Sequence, residues 1–141
     1  MPELLVRDVM TPEVVYLPEH TTLDEAARAM RERDIGDVVV TEGPTLAGVV
    51  TDRDIVVRAL AEGQDPKITT LGAIATRDLV MIEQDASTDQ AADLMRERAV
   101  RRLLVCDADR QLVGIVSLSD LARREDPSSA LSDISEAAPN N

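Results

Sequence analysis

The chain contains two imperfect copies of one segment, and that repetition restricts its fold more than any other feature. A displacement of 65 residues lays Asp24-Glu25-Ala26-Ala27-Arg28-Ala29-Met30-Arg31-Glu32-Arg33 on Asp89-Gln90-Ala91-Ala92-Asp93-Leu94-Met95-Arg96-Glu97-Arg98, with seven of the ten positions identical. Past the next loop the displacement becomes 66, and Gly48-Val49-Val50-Thr51-Asp52-Arg53-Asp54-Ile55 falls on Gly114-Ile115-Val116-Ser117-Leu118-Ser119-Asp120-Leu121. The added residue lies where a hairpin turn is expected, and turns tolerate changes of length. The copies are placed at 6–61 and 71–125 of a 141-residue chain. That total is about one average domain, so the two copies are expected to complete each other.

Each copy carries the same order of local signals. Val14-Val15-Tyr16-Leu17 and Leu79-Val80-Met81-Ile82 are short runs of strand formers, the first stopped at Pro18. Thr21 or Thr22 then precedes Leu23, Ala26, Ala27 and Met30, and Ser87 precedes Ala91, Ala92, Leu94 and Met95, which predicts capped amphipathic helices. Val38-Val39-Val40 and 46–50 flank Glu42-Gly43-Pro44, while Leu103-Leu104-Val105 and 112–116 flank Asp107-Ala108-Asp109-Arg110; each pair reads as a hairpin. Thr51-x-x-Asp54 and Ser117-x-x-Asp120 open a closing helix, with Ile55, Val56 and Leu60 apolar in one copy and Leu121 and Ala122 in the other.

The expected class is therefore α+β, two β-α-β-β-α repeats. Three strands with two helices on one face leave the other face apolar and bare, and packing sheet to sheet with an approximate twofold covers it. Residues 126–141, rich in Ser, Pro and acids, predict a mostly flexible acidic tail in which 130–134 adds one helical turn at most.

Composition narrows function. Apolar residues at 44% and charged residues at 30% fit a globular protein. Fifteen basic against 27 acidic residues give a net charge of −12, which repels polyanions, and the single aromatic, Tyr16, offers no stacking platform for bases. Nucleic acid is not an expected partner. A lone Cys106 forms no internal disulfide, and with one histidine, His20, no zinc site made mainly of Cys and His is expected. No apolar run approaches the roughly 18 residues of a membrane span, and Met1-Pro2-Glu3 lacks the basic-then-apolar order of a secretory signal. The expected location is the cytoplasm, without membrane attachment. No enzyme is expected: the only histidine available to activate Cys106 or a serine is His20, in a loop leading to a different helix.

The strand-to-helix junctions carry the chemistry. Backbone N–H groups and the positive end of the helix dipole make Thr51 and Ser117 candidates for an anion, and Asp54 and Asp120 can accept hydrogen bonds from both hydroxyls of a ribose. The competing reading is a helix N-cap, worth about 0.5–2 kcal/mol with no ligand. Arg53, Arg101 and Arg102 either offset the acidic field near a phosphate or form ordinary solvated pairs. Ala26, Ala27, Met30 and their counterparts Ala91, Ala92 and Met95 read either as core or as a surface for close helix approach.

Asp8-Val9-Met10-Thr11-Pro12, the run from Tyr16 to Leu23, and Gly48-Val-Val-Thr51-Asp-Arg-Asp54 with Gly114-Ile-Val-Ser117-Leu-Ser-Asp120 together resemble the tandem CBS-domain (cystathionine β-synthase domain) pair, or Bateman module. The resemblance covers residues 6 to 125, and the chain is similar to short stand-alone bacterial pairs of the hypoxic-response type. It departs from the family pattern at Val39 and Leu104, where many members carry proline, at Glu83 opposite Pro18, and at Ala75-Thr76-Arg77 opposite Met10-Thr11-Pro12. The resemblance implies a regulatory sensor that needs no cofactor and binds AMP, ADP, ATP or a similar adenosyl ligand in clefts between the repeats. Asp54 and Asp120 would then hold ribose, Thr51 and Ser117 lie near phosphate, and Thr11 and Thr76 border base and sugar. It further implies a homodimer, parallel or antiparallel, that signals to a downstream protein; the alternative is a ligand-free dimeric scaffold or stress-response interaction module.

Overall fold

The two long helices begin where their hydroxyl residues stand. In this computed structural model, which describes residues 3–125, α2 spans Leu23–Arg33 and α5 spans Thr88–Arg98. The tail expected over 126–141 lies outside the described residues. At the start of α2 the Thr22 Oγ1 accepts from the Glu25 amide at 3.3 Å, and the Glu25 carboxylate accepts from the Thr22 amide at 3.3 Å. Ser87 and Gln90 repeat this at 3.1 and 2.8 Å, so both helices open with a capping box. Leu23, Ala26 and Met30, like Ala91 and Met95, form the buried stripes; Ala27 is exposed and Ala92 half-buried. The methionines and inner alanines are thus core.

Each copy supplies a three-stranded mixed sheet. Strands β1 (Tyr16–Pro18), β2 (Asp37–Glu42) and β3 (Thr45–Thr51) lie in that order, β1 parallel and β3 antiparallel to β2. Strands β4 (Met81–Glu83), β5 (Arg102–Cys106) and β6 (Leu112–Ser117) repeat the arrangement. The first strand of each sheet starts later than its apolar run, because the parallel ladder pairs only three residues, opposite Val39–Thr41 and Leu104–Cys106. One face of the first sheet joins Val38, Val40 and Val50 to the α2 stripe; Leu103, Val105 and Val116 do the same with α5.

The compact units exchange their leading segments relative to the sequence copies. Among the described residues, one unit comprises 15–79 and the other 3–14 with 80–125. Helix α1 (Val6–Val9) buries Val6 and Val9 in the core built on β4–β6, and the Val6 amide donates to the Ala86 carbonyl at 2.8 Å. Helix α4 (Leu71–Ile74) buries Leu71 and Ile74 in the core built on β1–β3, and the Leu71 amide donates to the Thr21 carbonyl at 2.9 Å. Thr11 exchanges two backbone hydrogen bonds with Ile115, as Thr76 does with Val49. These bridges pair the free edges of β6 and β3, which would otherwise be open to another strand.

The closing helices differ between copies. After α3 (Asp52–Asp54) the backbone widens into a π-helical turn over Ile55–Ala59 and tightens to a 3₁₀ turn over Leu60–Glu62. Ile55 and Ala59 face the core, whereas Val56 and Leu60, the other apolar positions read for this helix, are exposed. Val56 and Leu60 each follow an inward residue by one position, about 100° round the helix, which puts both off the inward stripe. Helix α6 (Leu118–Glu125) is regular; Leu121 is buried as expected and Ala122 is exposed. No helix among the described residues is long and apolar enough to cross a membrane.

Candidate functional site

Each unit brings one complete set of the singled-out residues to the end of its antiparallel strand pair. In the unit of 15–79, β3 delivers Thr51 to the start of α3, where Thr51 is 5% exposed. Its Oγ1 accepts from the Asp54 amide at 3.0 Å, and the Asp54 Oδ2 accepts from the Thr51 amide at 2.9 Å. The other carboxylate oxygen, Oδ1, faces the Arg58 Nε at 3.9 Å. Arg58 also donates to the Ile74 carbonyl at 2.9 Å, tying the helix to the segment that carries Thr76. Thr76 is half-buried opposite Val49, two residues before Thr51. Arg53 is exposed, its amide donating to the Asp52 Oδ1 at 2.7 Å.

The second unit repeats the motif with different surroundings. The Ser117 Oγ accepts from the Asp120 amide at 3.1 Å, and the Asp120 Oδ2 accepts from the Ser117 amide at 2.8 Å. Asp120 is 8% exposed, and its Oδ1 accepts from Arg123 at 2.7 Å. Thr11, exposed, bridges to Ile115 two residues before Ser117, and Arg101, also exposed, accepts from the Leu118 amide at 2.9 Å through its carbonyl. Thr51, Asp54, Thr76 and Arg53 therefore share one unit, while Ser117, Asp120, Thr11 and Arg101 share the other.

The reciprocal bonds establish the capping role of both hydroxyl–carboxylate pairs, since amides that would be orphaned at a helix start are satisfied within the motif. Each aspartate uses one oxygen for the cap and turns the other toward an arginine. Arg58 and Arg123 were not among the sequence candidates, although their spacing of four and three residues from Asp54 and Asp120 is the helical ion-pair spacing that marks them.

A family model for the CBS domain matches residues 6–60 and 71–126. The chain belongs to the CBS-domain family. Hypoxic response protein 1 of Mycobacterium tuberculosis is 41% identical to this CBS pair over 118 residues, covering 83% of this chain and 82% of that protein. A crystal structure of Hypoxic Response Protein I with two coordinated zinc ions matches at 40% identity with a TM-score of 0.64, covering 85% of this chain and 98% of that one. The CBS domain pair of protein MJ0100, in complex with 5′-methylthioadenosine and S-adenosyl-L-methionine, matches at 26% identity with a TM-score of 0.74, covering 91% and 100%. The two α+β repeats expected from the sequence are the architecture of such pairs. As to zinc, no group of three or more His, Cys, Asp and Glu arranged to hold a metal occurs among the described residues. His20 is exposed and Cys106 is buried, with its Sγ 3.6 Å from the Ile82 carbonyl.

Proposed function

We propose that this CBS pair is a non-catalytic regulatory module that binds an adenosine-containing ligand, AMP, ADP, ATP or a related adenosyl compound, at its strand-to-helix junctions. The observation that carries the reading is the repetition of one hydroxyl–carboxylate pair, Thr51 with Asp54 and Ser117 with Asp120, each beside a bridged threonine of the leading segment. A carboxylate oxygen outside the cap is an acceptor for ribose hydroxyls, and the hydroxyls of Thr11 and Thr76 supply polar contacts next to it. The adenosyl ligands of the MJ0100 pair support the ligand class. Occupancy would favour one conformation of the module and so change the surface offered to a downstream protein. We place the module in the cytoplasm as a homodimer, for which exposed Val56, Val57 and Leu60 offer apolar surface.

Calorimetry and thermal shift with a panel of adenine nucleotides test this, using Asp54→Asn and Asp120→Asn as controls. Asparagine keeps an acceptor for the cap while removing the charge. The expected result is stabilisation of about 2.7 kcal/mol at a hundredfold ligand excess over Kd, reduced in each variant and abolished in the double variant. A second reading, a ligand-free scaffold, is favoured by the completeness of both capping boxes without a ligand. Absence of any shift across the panel would select it.

A further inference from the structure

The two segments that cover the sheet edges are fastened differently. Arg77 follows the Thr76 bridge, and its guanidinium donates from Nη1 to the Ala47 carbonyl of β3 at 3.3 Å and from Nη2 to the Gly72 carbonyl of α4 at 2.8 Å. One side chain thus ties strand, helix and bridge together. Gly72 leaves room for it, since a Cβ there would lie 3.7 Å from the Arg77 Nη2 and 3.3 Å from the Glu19 Cβ. At the displacement of 65 that relates the copies, Gly72 and Arg77 correspond to Arg7 and Pro12. Pro12 has neither an amide hydrogen nor a side-chain donor, so it can tie neither β6 nor α1. Arg7 turns instead to Asp85 in an exposed ion pair on the loop between β4 and α5, and such pairs contribute little. The side-chain contact with Gly114 is made by the Met10 thioether, where the other copy presents the Ala75 Cβ to Gly48. Methionine has three rotatable bonds and yields where alanine cannot. The backbone bridges do not offset this, because Thr11–Ile115 at 2.8 and 3.0 Å and Thr76–Val49 at 3.0 Å in both directions match in number and length.

We infer that the chain has one locked sheet edge and one that opens: Arg77 makes α4, the Thr76 bridge and the edge of β3 a single cooperative unit, whereas Met10–Pro12 lifts from β6 while α1 stays seated. Opening there frees the edge N–H and C=O of Ile115 and carries Thr11 away from the strand that ends in Ser117. Neither edge needs a ligand for this difference.

Native-state amide exchange of the full chain, followed by NMR in low denaturant, reads each edge separately. Two guanidinium bonds at an exposed site slow exchange through local opening by roughly tenfold. At the locked edge the amides of Val49, Leu71, Gly72 and Thr76 are expected to share one protection factor and one denaturant dependence. At the other, Thr11 and Ile115 are expected to exchange about tenfold faster than Val6 and Arg7, whose amides anchor α1 to the Ala86 and Gln84 carbonyls. Arg77→Ala should lower the protection of Val49 and Thr76 by about tenfold and leave that of Leu71 and Gly72 unchanged. Arg77→Lys, which keeps the charge without the two-pronged donor, should fall between. Thr11 and Ile115 as protected as Val6 and Arg7 in the parent chain overturn the opening of β6. An Arg77→Ala variant that leaves Val49 and Thr76 unchanged, or weakens all of these amides equally, overturns the lock on β3.

Discussion

Gly48→Ala is expected to pry the Thr76 segment from the edge of β3. A Cβ at Gly48 would lie 2.7 Å from the Thr76 carbonyl oxygen and 2.9 Å from the Ala75 Cβ. The nearer obstacle is backbone, so a side-chain rotation cannot relieve it. The clash costs about 1–3 kcal/mol as overpacking. Displacing the segment also forfeits the two 3.0 Å hydrogen bonds between Val49 and Thr76, each worth about 0.5–1.5 kcal/mol. Replacing glycine restricts the unfolded chain and returns about 0.4–1 kcal/mol. The net loss is about 3 kcal/mol, a fall in Tm of about 10 °C for a chain of this size. Gly114→Ala makes an independent copy of the experiment, its Cβ lying 2.6 Å from the Met10 Sδ and 2.8 Å from the Thr11 carbonyl oxygen. Urea unfolding gives the energy, and amide exchange locates it: Val49 and Thr76 should lose protection together while Val39, bonded to the Val15 carbonyl, keeps it. A Gly48→Ala protein within about 0.5 kcal/mol of the parent, with Thr76 still protected, would refute the exchange of leading segments between copies.

Glu25 titrates below the ordinary glutamate range because the Thr22 side-chain hydroxyl and then the Thr22 amide donate to its carboxylate. A folded pKa below the unfolded one contributes stability above the unfolded pKa, which is lost as pH falls through the folded value; a carboxyl-carbon NMR titration should show the depressed midpoint, and Thr22→Val should raise it. Cys106, 1% exposed, should resist a thiol reagent in the native protein and react once urea unfolds β5, whereas rapid native labelling would contradict its burial. Arg58→Ala should cost about 1 kcal/mol, since it removes a charged donor from the Ile74 carbonyl at a half-exposed site, and urea unfolding with an unchanged m-value is the check.

Most of the fold was legible because its signals are local. The Thr22 and Ser87 caps, the helical stripes and the two hairpins each depend on residues within a few positions of one another, and all appear where the sequence predicts them. The closing helix of the first copy was less legible. Val56 and Leu60 sit at helical spacing in the sequence, but the inward stripe runs through Ile55 and Ala59, one position before each, and the π turn that follows α3 leaves no signal in apolar periodicity. The hydroxyl–carboxylate pairs were legible as caps or as ligand sites, and the structure realises the cap in both copies. Arg58 and Arg123 went unread beside them, though their spacing was visible.

By itself the sequence determined that the chain carries two copies of one segment, where the two long helices and the two hairpins lie, and that both junctions repeat one hydroxyl–carboxylate pair. Only the tertiary structure decided that Thr76 serves the strand pair of Thr51 and Thr11 that of Ser117. Periodicity reports which way a side chain faces within its own element, whereas the pairing of distant segments depends on strand register and on closely fitted glycines such as Gly48 and Gly114, which no local pattern encodes.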